Sequence, residues 1–167
     1  MTIKSDRHDN WRGSIDLVNA SESHLKQMHV WFKNAASCTE WGGPEFRFPF
    51  TAETFFVDTK IAEAASYALI RDYDELCGFG QFYLRMGRCH LSRLAIAPSL
   101  RGQSLGTELI GRLMQRGTER LGVSQCSLFV YTNNTVARSV YEHLGFKLSH
   151  YPDNDFSHPG MHYMITQ

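Results

Sequence analysis

Residues 66–98 hold three strand-like runs in immediate succession, and this constrains the topology more than any other feature. The runs are "SYALIR", "ELCGFGQFYLRM" and "RCHLSRLAIAP", joined by the short polar turns "DYDE" and "RMGR". Turns that short can only bring neighbouring strands together antiparallel, as a meander. After Pro98 the pattern changes. A Gly-punctuated loop leads into a stretch from about Ser104 to Arg120 in which Leu105, Leu109 and Leu113, with Ile110 and Met114, recur at helical spacing. "SQCSLFVYT" then reads as a strand again. A strand–helix–strand unit over 89–131 requires a parallel pairing, so meander and crossover together predict a mixed sheet.

The flanking segments fit around that centre. "GSIDLVNA" reads as a first strand, and "SESHLKQMHVWFKNA" as a helix capped by Ser21, with Leu25, Met28, His29 and Phe32 on one face. "ASCTEWGGPEFRFPF" has no steady period and reads as an aromatic loop. Thr51 caps a second helix running to roughly Glu63. "NTVARSVYEHL" is a short helix stopped by Gly145, and "FKLSHY" and "HYMIT" are closing strands. The expectation is a single α+β domain over residues 1–167. Its central sheet is mixed, mostly antiparallel and twisted, with about six to seven strands and about four helices on its faces.

Composition narrows the partners. The 17 basic residues balance 17 acidic ones, which gives no electrostatic reason to expect nucleic acid or an anionic membrane. Cys38, Cys77, Cys89 and Cys126 form no paired motif, so neither a metal site nor a disulfide framework is expected. The N-terminal "MTIKSDRHDNWRG" lacks an apolar signal region, and no apolar run has spanning length. A cytoplasmic protein is expected.

The loop "RGQSLG", Arg101–Gly106, carries the first chemical signal. Amides at the start of a helix lack intrahelical partners, and the helix dipole favours anions there. Arg101, Gly102, Gln103, Ser104, Leu105, Gly106 and Thr107 place such amides directly after a strand, with Gly102 and Gly106 leaving room for a pyrophosphate. Ser104 stands where a further glycine would be expected. At positive φ it would store strain, whereas in an ordinary helical turn it costs little. The ordinary turn is the expectation.

The second signal is "NTVARSVYEHLGF", Asn134–Phe146. Asn134 and Tyr141 lie two helical turns apart on one side of a helix, with the small Ala137 between them. The spacing Arg-x-x-small-x-Gly after a strand ending in proline, followed by Asn-x-x-Ala-x-x-x-Tyr-x-x-x-Gly-Phe, resembles the GNAT superfamily of acyl-CoA-dependent N-acyltransferases. The resemblance is best over Cys89–Phe146. Ser104 departs from the pattern, while Asn134, Ala137, Tyr141, Gly145 and Phe146 match fully.

The resemblance implies that Leu94, Ala95 and Ile96 offer backbone groups to the pantetheine arm of acetyl-CoA. It implies that residues 101–107 hold the pyrophosphate, that Asn134 bonds the pantetheine side, and that Tyr141 protonates the departing thiolate. It also implies an amine acceptor and frequent dimers. A base must deprotonate the ammonium. His90, at the position where relatives carry a Glu, has a suitable intrinsic pKa. Glu40 and Glu45 are alternatives that would otherwise attract the ammonium. Trp41, Phe46, Phe48 and Phe50 either line an acceptor pocket, together with Glu40 and Glu45, or pin the loop to the core, and the C-terminal tail is a second candidate wall. The leading expectation is acetylation of a small-molecule amine. Acetylation of a protein N-terminus or lysine, or acyl-CoA binding without turnover, are the alternatives.

Overall fold

The computed structural model describes residues 13–153 and 160–167. β1 (Ile15–Asn19) is followed by α1 (Glu22–Met28), α2 (Ala35–Gly42) and α3 (Ala52–Thr59). The meander is β2 (Ala65–Arg71), β3 (Glu75–Arg85) and β4 (Arg88–Ile96). Then come α4 (Leu105–Leu121), β5 (Cys126–Tyr131), α5 (Thr135–His143), β6 (Phe146–Ser149) and β7 (Met161–Thr166). Among the described residues seven strands form one sheet in the order β1-β2-β3-β4-β5-β7-β6. Every neighbouring pair is antiparallel except β4–β5, the crossover pair around α4.

Each face of the sheet has its own core. On one side α4 and α5 pack Leu105, Leu109, Leu113 and Tyr141 against Tyr67, Phe82 and Leu91. On the other, Leu25, Met28, Phe32 and Phe55 from the α1–α3 segment pack against Phe79. Alternation along the strands decides which residues go to which side. Gly80 lets α4 lie close, since a Cβ there would sit 2.4 Å from Leu113 Cδ1. Among the described residues no helix is long and apolar enough to cross a membrane.

Three boundaries differ from expectation. The first helix ends at Met28, a 3-10 turn follows at His29–Trp31, and Phe32 is extended, so the helical face expected to include Phe32 stops short of it. The stretch expected as an aromatic loop contains α2, because Asn34 is extended and its Oδ1 accepts from Ser37 N–H at 2.8 Å. Only Cys38 of that helix is buried, so it carries no apolar stripe for the period to reveal. The following helix ends at Thr59, short of Glu63, because Lys60 turns left-handed at φ 54° and closes it.

Candidate active site

β4 and β5 are neighbours that barely touch. They pair only at Cys89↔Cys126 and His90↔Ser127. Beyond that root β4 runs on to Ile96 paired with β3, and β5 runs on to Tyr131 paired with β7. Their facing edges, 91–96 and 128–131, therefore diverge inside the sheet. Backbone groups on such edges need water or a ligand to satisfy them. A bulge bends β4 away: Gln81 pairs with Ser92 and Phe79 with Ala95, which leaves one residue extra on β4. Arg93, within the bulge, has φ 48°. Leu94, Ala95 and Ile96 follow it along the open edge.

The start of α4 adds a second set of unpaired amides. Ser21, Asn34, Thr51 and Asn134 cap α1, α2, α3 and α5 through their side chains, but Ser104 makes no such bond to α4. The amides of Leu105, Gly106 and Thr107 thus lack both intrahelical and side-chain partners. Arg101, Gly102, Gln103 and Ser104 are exposed and Leu105 is buried beneath them. Gly102 has φ 76° and Ser104 φ 62°. The ordinary helical turn expected at Ser104 is not what forms. The chain reverses there from the Pro98–Leu100 turn into α4 through a left-handed residue. For a side chain with a Cβ this costs about 1–2 kcal/mol. Together the open β4 edge and the uncapped α4 amides suit an elongated ligand with an anionic end.

Asn134 and Tyr141 both belong to α5, as their spacing requires. Asn134 Oδ1 accepts from Ala137 N–H at 3.2 Å, and its Nδ2 donates to Glu40 Oε1 at 3.2 Å. The second bond ties α2 to α5 across the sheet. Tyr141 is 9% exposed, with its ring edge on Phe146, and its hydroxyl has no hydrogen-bond partner among the described residues. Burial pushes its pKa up to about 12, so the phenol keeps its proton.

His90 lies at the root of the fork. It is 2% exposed, its Nδ1 shares a 2.9 Å hydrogen bond with Ser127 Oγ, and its ring packs against Tyr83 and Phe129. Burial first, and the Arg85 charge second, push its pKa down to about 3. The basicity expected from an ordinary imidazole is therefore absent, and His90 instead holds β4 to β5. Trp41 stacks on Phe32 and Phe55, and Phe46 is buried edge-on to both Trp41 and Phe55. Of the two readings of the aromatic segment, both residues fit the one that pins it to the core. Trp41 also donates from Nε1 to the Arg93 carbonyl at 2.9 Å, which braces the bulge. Glu40 and Glu45 are exposed, and Glu40 alone is joined to α5. Part of the proposed tail wall, residues 154–159, lies outside the described residues. Tyr151, before it, packs on Phe129 and Tyr163.

Sequence reasoning missed Arg93, Gln81 and Ser127. Arg93 Nη1 donates to Gln81 Oε1 at 3.1 Å, while Gln81 Nε2 donates to the Thr59 carbonyl and Ser66 Oγ, each at 2.8 Å. The available signal was an arginine in the middle of a strand that must be covered on both faces.

The sequence model of the Acetyltransferase (GNAT) family matches residues 35–146, from α2 to the start of β6. The chain belongs to this family. The match spans the fork, the uncapped α4 terminus, Asn134 and Tyr141, and identifies the protein as an acetyl-CoA-dependent N-acetyltransferase. A curated relative, the putative ribosomal protein bS18-alanine N-acetyltransferase of Bacillus subtilis, is 27% identical over 114 residues, 65% of this chain and 75% of its own length. Among solved structures, a chimera of spermidine N-acetyltransferase SpeG from Vibrio cholerae with hSSAT superposes with TM-score 0.68 at 17% identity, covering 91% of this chain and 94% of that one. The PaiA N-acetyltransferase of Thermoplasma acidophilum, in complex with coenzyme A, gives TM-score 0.65 at 17% identity, over 92% and 99%. The ribosomal-protein-S18-alanine N-acetyltransferase of Escherichia coli gives 0.62 at 19%, over 92% and 93%. These likenesses show that the fold is the GNAT fold.

Proposed function

We propose that the protein transfers the acetyl group of acetyl-CoA to a primary amine on a small molecule, by direct attack of the amine on the thioester. The reading rests above all on the fork: two strands that share only two paired residues, opening towards the uncapped amides of α4. In this reading the amides of Leu105, Gly106 and Thr107, with Arg101 alongside, hold the pyrophosphate, and the free edge of Leu94–Ile96 bonds the pantetheine arm. An unpaired β4 amide is also the donor placed to stabilise negative charge developing on the thioester oxygen. Tyr141 gives its proton to the departing sulfur, a task suited to a phenol that burial keeps protonated. Glu40, held at the mouth by Asn134, draws in the acceptor ammonium and takes its proton directly or through water.

A compact acceptor is favoured because α2 is tied on both sides of the fork, to Asn134 through Glu40 and to the Arg93 carbonyl through Trp41. The Bacillus subtilis relative supports a second reading, an N-terminal alanine on a protein. Thiol release from acetyl-CoA separates the two. Release with small amines but not with alanine-initiated peptides selects the first reading, and the converse selects the second. Replacing Tyr141 with Phe is expected to lower kcat about 10²-fold or more while leaving acetyl-CoA affinity within about twofold. An unchanged kcat would remove Tyr141 from its role.

A further inference from the structure

Arg93 is a cation placed where the surrounding protein does not balance it. Its residue is only part-exposed, and burial is the largest influence on its charge, lowering its pKa against weaker opposing fields from Tyr83, Asp58 and Glu63. None of the ion pairs among the described residues includes it. Asp58 is already taken by Arg47, at 2.6 Å. Of the five guanidinium N–H groups, one is given to Gln81 Oε1 at 3.1 Å and one to the Gly42 carbonyl at 3.5 Å. Nε is buried without a partner, and so is the hydroxyl of the preceding Ser92. A desolvated guanidinium with neutral partners and an unused donor is costly unless an anion completes it.

The position of this cation matters as much as its pairing. Arg93 sits in the β4 bulge, at the point where β4 leaves β5, with its backbone held left-handed. Gln81, which pairs with Ser92 and accepts from Arg93, is locked by Thr59 and Ser66 on its own amide side. The carbonyl of Gly42 and the indole of Trp41 reach Arg93 from the end of α2, the helix that also carries Glu40. One short segment therefore carries Glu40, joined to Asn134, and also reaches Arg93 through the Gly42 carbonyl and the Trp41 indole. Opposite charges at such a site match a molecule that carries both an ammonium and a carboxylate.

We propose that Arg93 selects acceptors bearing a carboxylate, so that the substrate class is an amino carboxylate rather than a polyamine. The proposal rests on the acetyl-transfer reading above and names its acceptor. A second or third ammonium on a polyamine would face Arg93 with like charge and no compensating contact, whereas a carboxylate would supply the missing partner in charge-assisted hydrogen bonds.

The test compares matched acceptors that differ only in the anion: α- and ω-amino carboxylates against their carboxamides, with spermidine as a polycationic control. The readout is the ratio of kcat/KM for acid over amide, which does not depend on the fraction of correctly folded variant. The parent is expected to favour the acids by about tenfold or more. Arg93→Gln should bring the ratio close to one, and Arg93→Lys, which keeps the charge, should restore part of it. A parent ratio near one, or a ratio that survives in Arg93→Gln, overturns the proposal and leaves the acetyl-transfer reading intact. If no amine is acetylated, the thermal midpoint of the coenzyme A-saturated protein is read with the same compounds. An upward shift with the acids in the parent that is lost in Arg93→Gln upholds Arg93 as the carboxylate site while the transfer reading fails. No shift with any of them overturns both.

Discussion

His90, buried, and Arg93, half-buried, lie on one short stretch of β4 but meet opposite fates. His90 is neutral and satisfied by Ser127, whereas Arg93 stays charged and incompletely bonded. The state of His90 makes stability depend on acidity with a definite sign. The unfolded imidazole takes its proton near pH 6.5 and the folded one only at about 3. Between those values the unfolded chain binds a proton that the native protein refuses. The contribution is complete above about pH 6.5 and is lost as pH falls towards 3, amounting to as much as about 4–5 kcal/mol. Urea unfolding from pH 7.5 to pH 4 should show the parent weakening, and His90→Asn, whose amide still reaches towards Ser127, should show a much flatter slope. Equal slopes would assign the acid sensitivity to other groups. The histidine itself was visible in the sequence. Its depth was not, because alternation along a strand tells which face a side chain takes and nothing about what covers that face.

At the scale of the element, α4 shows what a helix gives up to leave its first amides free. Its N-cap residue, Ser104, is left-handed at φ 62° and makes no side-chain cap bond. Glycine adopts that conformation without a Cβ penalty, so Ser104→Gly is expected to raise stability by roughly 0.5–1 kcal/mol, read as a higher urea midpoint at unchanged slope. A lower midpoint would mean that the serine side chain stabilises the loop. The order and type of the main elements were legible because they rest on long periodic runs: the meander, α4 with its leucine stripe, and the crossover that forces β4 and β5 parallel. So were the loop that opens α4 and the short helix that carries Asn134 and Tyr141, since each motif is local in sequence. α2 was not legible, because its signal is a single Asn34 cap over a helix with one buried residue. The bulge at Arg93 was not legible either, since an extra residue in a strand leaves the hydrophobic pattern almost unchanged.

At the scale of the whole molecule, the sheet consists of two halves, β1–β4 and β5–β7–β6, whose strands meet only at Cys89↔Cys126 and His90↔Ser127. α4 packs over β3 and β4 on one side, and the Glu40–Asn134 bond closes the opposite mouth. A junction this narrow keeps the inner edges of β4 and β5 free for a ligand at the expense of local stability there. Acetyl-CoA lying along the fork would complete the hydrogen bonding of those edges and act as a strut between the halves. Saturation at about 100 times Kd should stabilise the native state by about 2.7 kcal/mol, or about 5–10 °C in Tm for a chain of this size. Hydrogen exchange gives the sharper measurement. Amides of 91–96 and of 128–131 should both slow on binding, together with those of Leu105, Gly106 and Thr107, while the outer edges at β1 and β6 stay unchanged. Slowing confined to the α4 terminus would mean that the ligand is held by its pyrophosphate alone and that the fork does not receive the pantetheine arm.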